Sequence, residues 1–263
     1  MFDFFKVQKV AKEIEKVQIA KDYENIPDIS KYIKEVTGID FEDQAVVFKS
    51  KVTSFCRTHK IESFKSCLST LDTLPELKQE LINYLTTNES FFYREVHQIN
   101  SLVKTIKETS KSVKVLCAPS AKGEEPYSIT IALLEAGVSA SRFQITGIDI
   151  SSDAIATAQK AIYNEKAIRN LNDSIRQKYF SRDGNEYKLN QEIKNKVTFI
   201  CVNIFDDDFK RLGKFDYIFS RNMLIYFDTP TRIKAQNIFK EQLVNSSTSI
   251  YYGHADLTHE YKV

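Results

Sequence analysis

No apolar run in this 263-residue chain approaches the roughly 18 residues needed to cross a bilayer. The opening Met1-Phe2-Asp3-Phe4-Phe5-Lys6 also lacks the apolar stretch of a signal peptide, so a cytoplasmic protein is expected. An excess of one charge is missing too: 37 Lys and Arg face 35 Asp and Glu, a net of +2. No chain-wide field recommends nucleic acid or an anionic membrane as a partner, and any docking by charge must be local. The four cysteines, Cys56, Cys67, Cys117 and Cys201, form no CxxC pair and have no histidine at metal-ligand spacing. They read as reduced thiols that pack as small hydrophobes, and no metal site is expected.

What is present describes a folded protein, with 42% hydrophobic residues, 13 Tyr and 18 Phe. The length suits one large domain or a large and a small one. Residues 1–85 hold one glycine, Gly38, and apolar residues at helical spacing: Val46, Val47, Val52 and Phe55, then Ile61, Phe64, Leu68 and Leu71. An all-helical domain is expected there, with a linker to about residue 110. Between Gln44 and Lys65 it carries Lys49, Lys51, Arg57, Lys60 and Lys65 against Glu62 alone. The pattern predicts one locally basic helix, either a solvated face or a dock for an acidic helical surface.

From Lys111 the rhythm changes to short β-rich runs alternating with amphipathic segments, the βαβ pattern. Strands are predicted at 113–118, 144–150, 197–202, 215–220 and 249–252, with helices starting near Pro126, Ser152 and Pro230. This implies an α/β fold with a doubly wound, mostly parallel sheet covered on both faces. The polar stretch near 179–197, with a turn at Asp183-Gly184, reads as a small inserted surface hairpin.

The loop after the first strand runs Pro119-Ser120-Ala121-Lys122-Gly123-Glu124-Glu125-Pro126. In such a sheet ligands sit at the carboxyl ends of strands, but a single glycine is not a pyrophosphate cradle. Glu124 and Glu125 complement the helix dipole, suit a cationic ligand group and repel a phosphate. Asp149 ends the second strand, 26 residues beyond Gly123, near the spacing at which an acid accepts ribose hydroxyls. It equally suits a cap for the next helix. A sugar-binding acid without phosphate glycines fits a nucleoside lacking phosphates, of which S-adenosylmethionine is the common one.

Four segments then make the reading specific: Thr86-Thr87-Asn88-Glu89-Ser90-Phe91-Phe92-Tyr93-Arg94-Glu95, Gly123 to Ser128, Asp149-Ile150, and Phe215 through Arg221-Asn222 and Tyr226 to Asp228. In this order they resemble the motifs of the CheR family of chemotaxis receptor methyltransferases, over roughly residues 28–254. The resemblance implies S-adenosylmethionine-dependent methylation of glutamate side chains on the cytoplasmic helical domain of bacterial chemoreceptors, giving glutamate methyl esters for chemotactic adaptation and leaving S-adenosylhomocysteine. It divides the chain into a receptor-docking domain, 1–85, and a methyltransferase domain, 86–263. It assigns the cofactor to Asn88, Ser90, Arg94, Glu125, Asp149, Asn203, Ile204, Arg221 and Asn222. Asp149 would take the ribose, Asn203 lie by the adenine and Glu125 near the methionine end. Relatives often have threonine where Ser90 stands, which keeps the hydroxyl. The hairpin is shorter than in relatives that grip a receptor tail, so tail tethering is not expected. Beyond His254 the chain leaves room for one edge strand, at Glu260 to Val263.

A glutamate carboxylate is already ionised at neutral pH, so attack on a sulfonium methyl needs no general base. Accordingly His59, His97, His254 and His259 lie in different segments and read as ordinary residues. Arg94 is expected to orient the incoming carboxylate through paired hydrogen bonds, or else to form a structural ion pair. Tyr226 is expected to place a hydroxyl and a ring beside the methyl, or else to be core. Two other readings stay open: a cofactor-binding sensor without catalysis, and a methyltransferase for a small molecule or nucleic acid. The second is disfavoured because Arg221-Asn222-Met223-Leu224 replaces the Asn/Asp-Pro-Pro-aromatic loop of base-modifying enzymes.

Overall fold

The computed structural model describes residue 23 and residues 25–244 and 250–257. His259 and the expected strand at Glu260 to Val263 lie outside them. Contacts divide the chain into two compact units, Met1–Thr86 and Thr87–Val263.

In the first unit, helices α1 (Ile26–Thr37), α2 (Ala45–Thr58), α3 (Phe64–Thr73) and α4 (Pro75–Leu85) surround a core of Ile29, Ile33, Phe48, Val52, Phe55, Cys56, Phe64, Cys67, Leu71, Leu81 and Leu85. The buried stripe of α2 is Phe48, Val52, Phe55 and Cys56, a strict helical spacing. Val46 and Val47, expected in that stripe, fall out of phase with it and are 84% and 54% exposed.

The single basic helix also needs correction. Lys49, Lys51 and Arg57 lie on α2, Lys60 in a turn and Lys65 on α3. The break is a helix stop: Ile61 N–H donates to Cys56 O, Lys60 N–H donates to Arg57 O, and Lys60 is left-handed at φ 57°. Ser63 then starts α3 by accepting from Ser66 N–H at 3.0 Å.

In the second unit a five-stranded sheet has the order β6 (Val197–Cys201), β2 (Phe143–Asp149), β1 (Val113–Cys117), β7 (Tyr217–Ser220), β8 (Ile250–Tyr252), and every pairing is parallel. Each strand falls within two residues of its expected limits. The sequence order of these strands reverses at β1 and β7, and such switch points open a crevice at the carboxyl ends. Register aligns those ends: Cys117 pairs with Gly147 and Phe219, and Asp149 with Cys201.

Helix α5 (Val96–Lys107) packs Ile99, Leu102 and Ile106 against Val113, Val115, Ile129, Leu133 and Phe219. Helix α6 starts at Glu124, two residues before the expected Pro126, and runs to Glu135. Helix α7 (Ser152–Lys160) follows β2 with Ser151 as its cap, while α9 (Thr229–Gln242) has Asp228 as its cap and follows β7. Short helix α8 (Asp173–Tyr179) lies within the inserted region.

That insertion is larger than a hairpin. Strands β4 (Phe180–Asp183) and β5 (Glu186–Leu189) form the expected antiparallel pair, and β3 (Ile162–Asn164) adds a third strand on β5. The local polarity concealed alternation: Tyr187 and Leu189 point inward and join Phe92, Tyr163, Tyr179 and Phe180 in a buried cluster.

Candidate active site at the carboxyl ends of the strands

The loop from β1 to α6 is shaped by two buried carboxylates. Asp149, at the end of β2, accepts the Ala121 N–H on Oδ2 and the Ser151 N–H on Oδ1, each at 2.9 Å. Burial raises its pKa to about 6 against these opposing hydrogen bonds. Each oxygen keeps a further lone pair, so the same group can still accept from ligand hydroxyls. Glu124 is buried in the first turn of α6, and desolvation raises it to about 7, opposed chiefly by its own N–H and Lys122.

Gly123 sits between them at φ 91°. An added Cβ would meet Ala158, Phe199 and Tyr127 at 3.0 Å, so the left-handed turn packs closely on α7 and β6.

Across the crevice lies a charge cluster. Arg221, one residue past β7, has a buried side chain with Nη1 2.6 Å from Glu125 Oε2 and Nη2 3.7 Å from Glu95 Oε1. Arg221 Nη2 also donates to the carbonyl of Arg94 at 2.7 Å. Burial raises the Glu125 carboxyl, and the guanidinium of Arg221 is the leading opposing influence. Arg94 is itself near enough to lower Glu125, yet makes no ion pair among the described residues. Its guanidinium lies 5.6 Å from the Phe91 ring, which Arg169 covers at 3.6 Å.

The loop carrying Arg94 is pinned by two bonds: Phe92 N–H donates to Ala167 O at 2.8 Å, and Tyr93 N–H to Ser128 Oγ at 3.0 Å. The structure thus brings Arg94, Glu125 and Arg221 together. Asn203 and buried Ile204 follow β6 beside Asp149, whose carbonyl accepts the Val202 N–H at 3.0 Å. Asn222 and half-buried Tyr226 lie on the loop after β7. Asn88 and Ser90 stand at the start of the Arg94 loop, half-buried, and no described contact links them to the charge cluster.

Sequence reasoning missed Glu95 and Asp256. Glu95 adjoins Arg94 in the same motif, which is a usable signal, and it reaches Arg221 on one oxygen and the His254 N–H on the other at 3.3 Å. Asp256 carried no signal, because its partners on the loop after β7, Asn222 and Ile225, lie over 30 residues away.

The donor set fits S-adenosylmethionine. Ser120 Oγ, Glu124 Oε2, Glu125 Oε1, Ser220 Oγ and Arg221 Nε are buried without a hydrogen-bond partner among the described residues. They lie at the ends of β1 and β7 and the start of α6, and are atoms that an amino acid head with its ammonium and carboxylate would satisfy. Asp149 offers acceptors for a sugar diol one strand away.

Residues 88–262 match the family model described as CheR methyltransferase, SAM binding domain, and residues 24–86 that of the CheR methyltransferase, all-alpha domain. A chemotaxis protein methyltransferase of Campylobacter jejuni is 34% identical over 231 residues, 88% of this chain and 87% of that protein. Chemotaxis protein methyltransferase 2 of Vibrio cholerae is 32% identical over 238 residues, covering 86% and 82%. The chemotaxis protein methyltransferase of Escherichia coli is 32% identical over 183 residues, covering 68% and 64%.

Proposed function

The chain belongs to the CheR methyltransferase family, and from that premise we propose that it methylates glutamate side chains on the cytoplasmic helical domain of chemoreceptors. It is an S-adenosylmethionine-dependent methyltransferase of chemotaxis. The observation that carries the finer reading is the pairing of a site for a zwitterionic head, at Glu125 and Arg221, with a neighbouring cation, Arg94, free of any ion pair among the described residues. A guanidinium so placed can take an incoming carboxylate in a bidentate grip.

When bound, S-adenosylmethionine supplies a methyl group activated by a positively charged sulfur. Glu125 and Arg221 hold the head group, Asp149 the ribose, and Asn203 with Ile204 border the base. Arg94 orients the acceptor carboxylate, and Tyr226 places its ring and hydroxyl beside the reacting carbon. No group need take a proton, so the rate comes from alignment, an effect worth up to roughly 7 to 11 kcal/mol in favourable cases. Among the described residues no helix is long and apolar enough to cross a membrane, which suits a cytoplasmic place of action. Docking falls to the exposed cations of the helical unit, Lys49, Arg57, Lys60 and Lys65, while Lys51 is occupied within it.

The test is to incubate the protein with methyl-labelled S-adenosylmethionine and purified receptor cytoplasmic fragments, then treat the product with mild alkali. Label released as methanol is expected of a carboxyl ester. Label that survives alkali, or no transfer at all, overturns the glutamate assignment.

A further inference from the structure

Asp256 lies beyond the last strand, in the short helical turn His254–Leu257, and its side chain is buried. Its partners are backbone amides. Oδ2 accepts the N–H groups of Asn222 at 2.6 Å and Gly253 at 3.1 Å, and Oδ1 accepts that of Ile225 at 3.3 Å. The Leu224 N–H reaches the same carboxylate. Three of these four donors belong to the loop after β7, and two open its single 3-10 turn, Leu224–Tyr226.

The first N–H groups of a helical turn lack partners within it, and a residue just before the turn usually supplies an acceptor. Here Met223 precedes the turn and supplies none. The acceptor comes instead from another strand crossing. It also holds Asn222 in a left-handed conformation, φ 59°, that costs a non-glycine residue energy when unsupported. Gly253 lets the two segments meet: an added Cβ would stand 2.9 Å from Asn222 N and 2.9 Å from Asp256 Oδ2. The adjacent His254 N–H donates to Glu95, so the same segment is tied to the Arg221 cluster.

We propose that Asp256 is a positioning residue for methyl transfer, its carboxylate setting the Asn222–Tyr226 loop so that Asn222 and Tyr226 face the donor. It touches neither donor nor acceptor. Asparagine is nearly the same size but would turn an NH2 group toward N–H donors, so Asp256→Asn frees the loop with little change in packing. This inference rests on the reading above, and the experiment separates the two.

The full chain and its Asp256→Asn, Asp256→Glu and Gly253→Ala variants are compared by calorimetric binding of S-adenosylhomocysteine and by single-turnover transfer to a receptor fragment. Asp256→Asn is expected to bind S-adenosylhomocysteine at least fivefold more weakly and to transfer at least tenfold more slowly at saturating donor. KM for the fragment should stay within twofold. Gly253→Ala should do the same by pressing on Asn222, and Asp256→Glu should recover most of the rate because the carboxylate is kept. If Asp256→Asn matches the wild type in affinity and rate, the proposal fails. It fails equally if all three variants lose activity only in proportion to the fraction unfolded by circular dichroism. Should the wild type bind S-adenosylhomocysteine but not methylate the fragment, the glutamate reading falls, and the affinity of Asp256→Asn still decides the role of Asp256.

Discussion

Arg221 and Arg94 are two residues of one type with opposite surroundings. Arg221 is buried between Glu125 and Glu95, and removing one partner of such a group leaves the others uncompensated. Arg221→Met should therefore lower stability by about 3 to 5 kcal/mol in denaturant titration. Arg94→Ala should cost under about 1 kcal/mol of stability, since no ion pair is broken, yet slow single-turnover transfer by about 100-fold through lost orientation. A stability collapse with unchanged transfer would reassign Arg94 to structure. Asp149 and Glu124 are raised to about 6 and about 7, largely by burial. Ribose hydroxyls donate to an ionised Asp149, so affinity for S-adenosylhomocysteine should climb as pH rises from 5 to 8. Asp149→Ala should weaken binding by roughly 1.5 to 3 kcal/mol at pH 8, and calorimetry across pH checks both points. A flat wild-type profile would remove Asp149 from the ribose.

The helices of the first unit sort the basic residues into two groups. Lys51 donates to the carbonyls of Tyr84 and Leu85 at 3.3 Å, at the end of α4, where a cation favours the helix dipole. It is a fastening within the unit. Arg57, Lys60 and Lys65 are exposed around the turn between α2 and α3. Exposed charges add little stability but guide encounter, an effect screened over about 10 Å at 0.1 M salt. Reversing these three to glutamate should raise KM for receptor about tenfold, leave S-adenosylhomocysteine affinity unchanged and flatten the salt dependence. Deleting the receptor's tail should hardly change the rate. If tail deletion abolishes methylation while the reversals do nothing, docking belongs to the three-stranded sheet, where β4 presents an open edge.

For the molecule as a whole, the two raised carboxyls make stability and ligand binding run in opposite directions with pH. Both hold their proton more tightly folded than unfolded, so the stability they contribute is full below the unfolded pKa values and is lost as pH rises through about 6 and about 7. Glu124→Gln should flatten this decline and raise Tm at pH 8 relative to wild type. S-adenosylhomocysteine at 100 times its Kd should stabilise the Thr87–Val263 unit by about 2.7 kcal/mol, roughly 5 to 10 °C in Tm for a unit of this size. At one fixed ligand concentration the shift should grow from pH 5 to pH 8 as Kd falls, and scanning calorimetry at both pH values tests it.

The parallel sheet was legible in the sequence because β-rich runs alternate with helix-length segments, and strand ends are marked by polar and turn residues such as Pro119, Asp149 and Arg221. The motifs likewise put acids and arginines at those ends. Periodicity along the chain reports only which face a residue takes within its own element. It therefore could not say that Lys60 would end α2, that β3 would join the inserted pair, or that Lys51 would close another helix. The meeting of Arg221 with Glu125 and Glu95, and of Asp256 with Asn222, spans from 34 to 126 residues. Such contacts depend on how the strands are ordered and how their ends line up, and on burial that makes an unpaired charge costly. Residue types at the site were thus determined locally, while their partners and protonation were decided only when the sheet brought distant segments together.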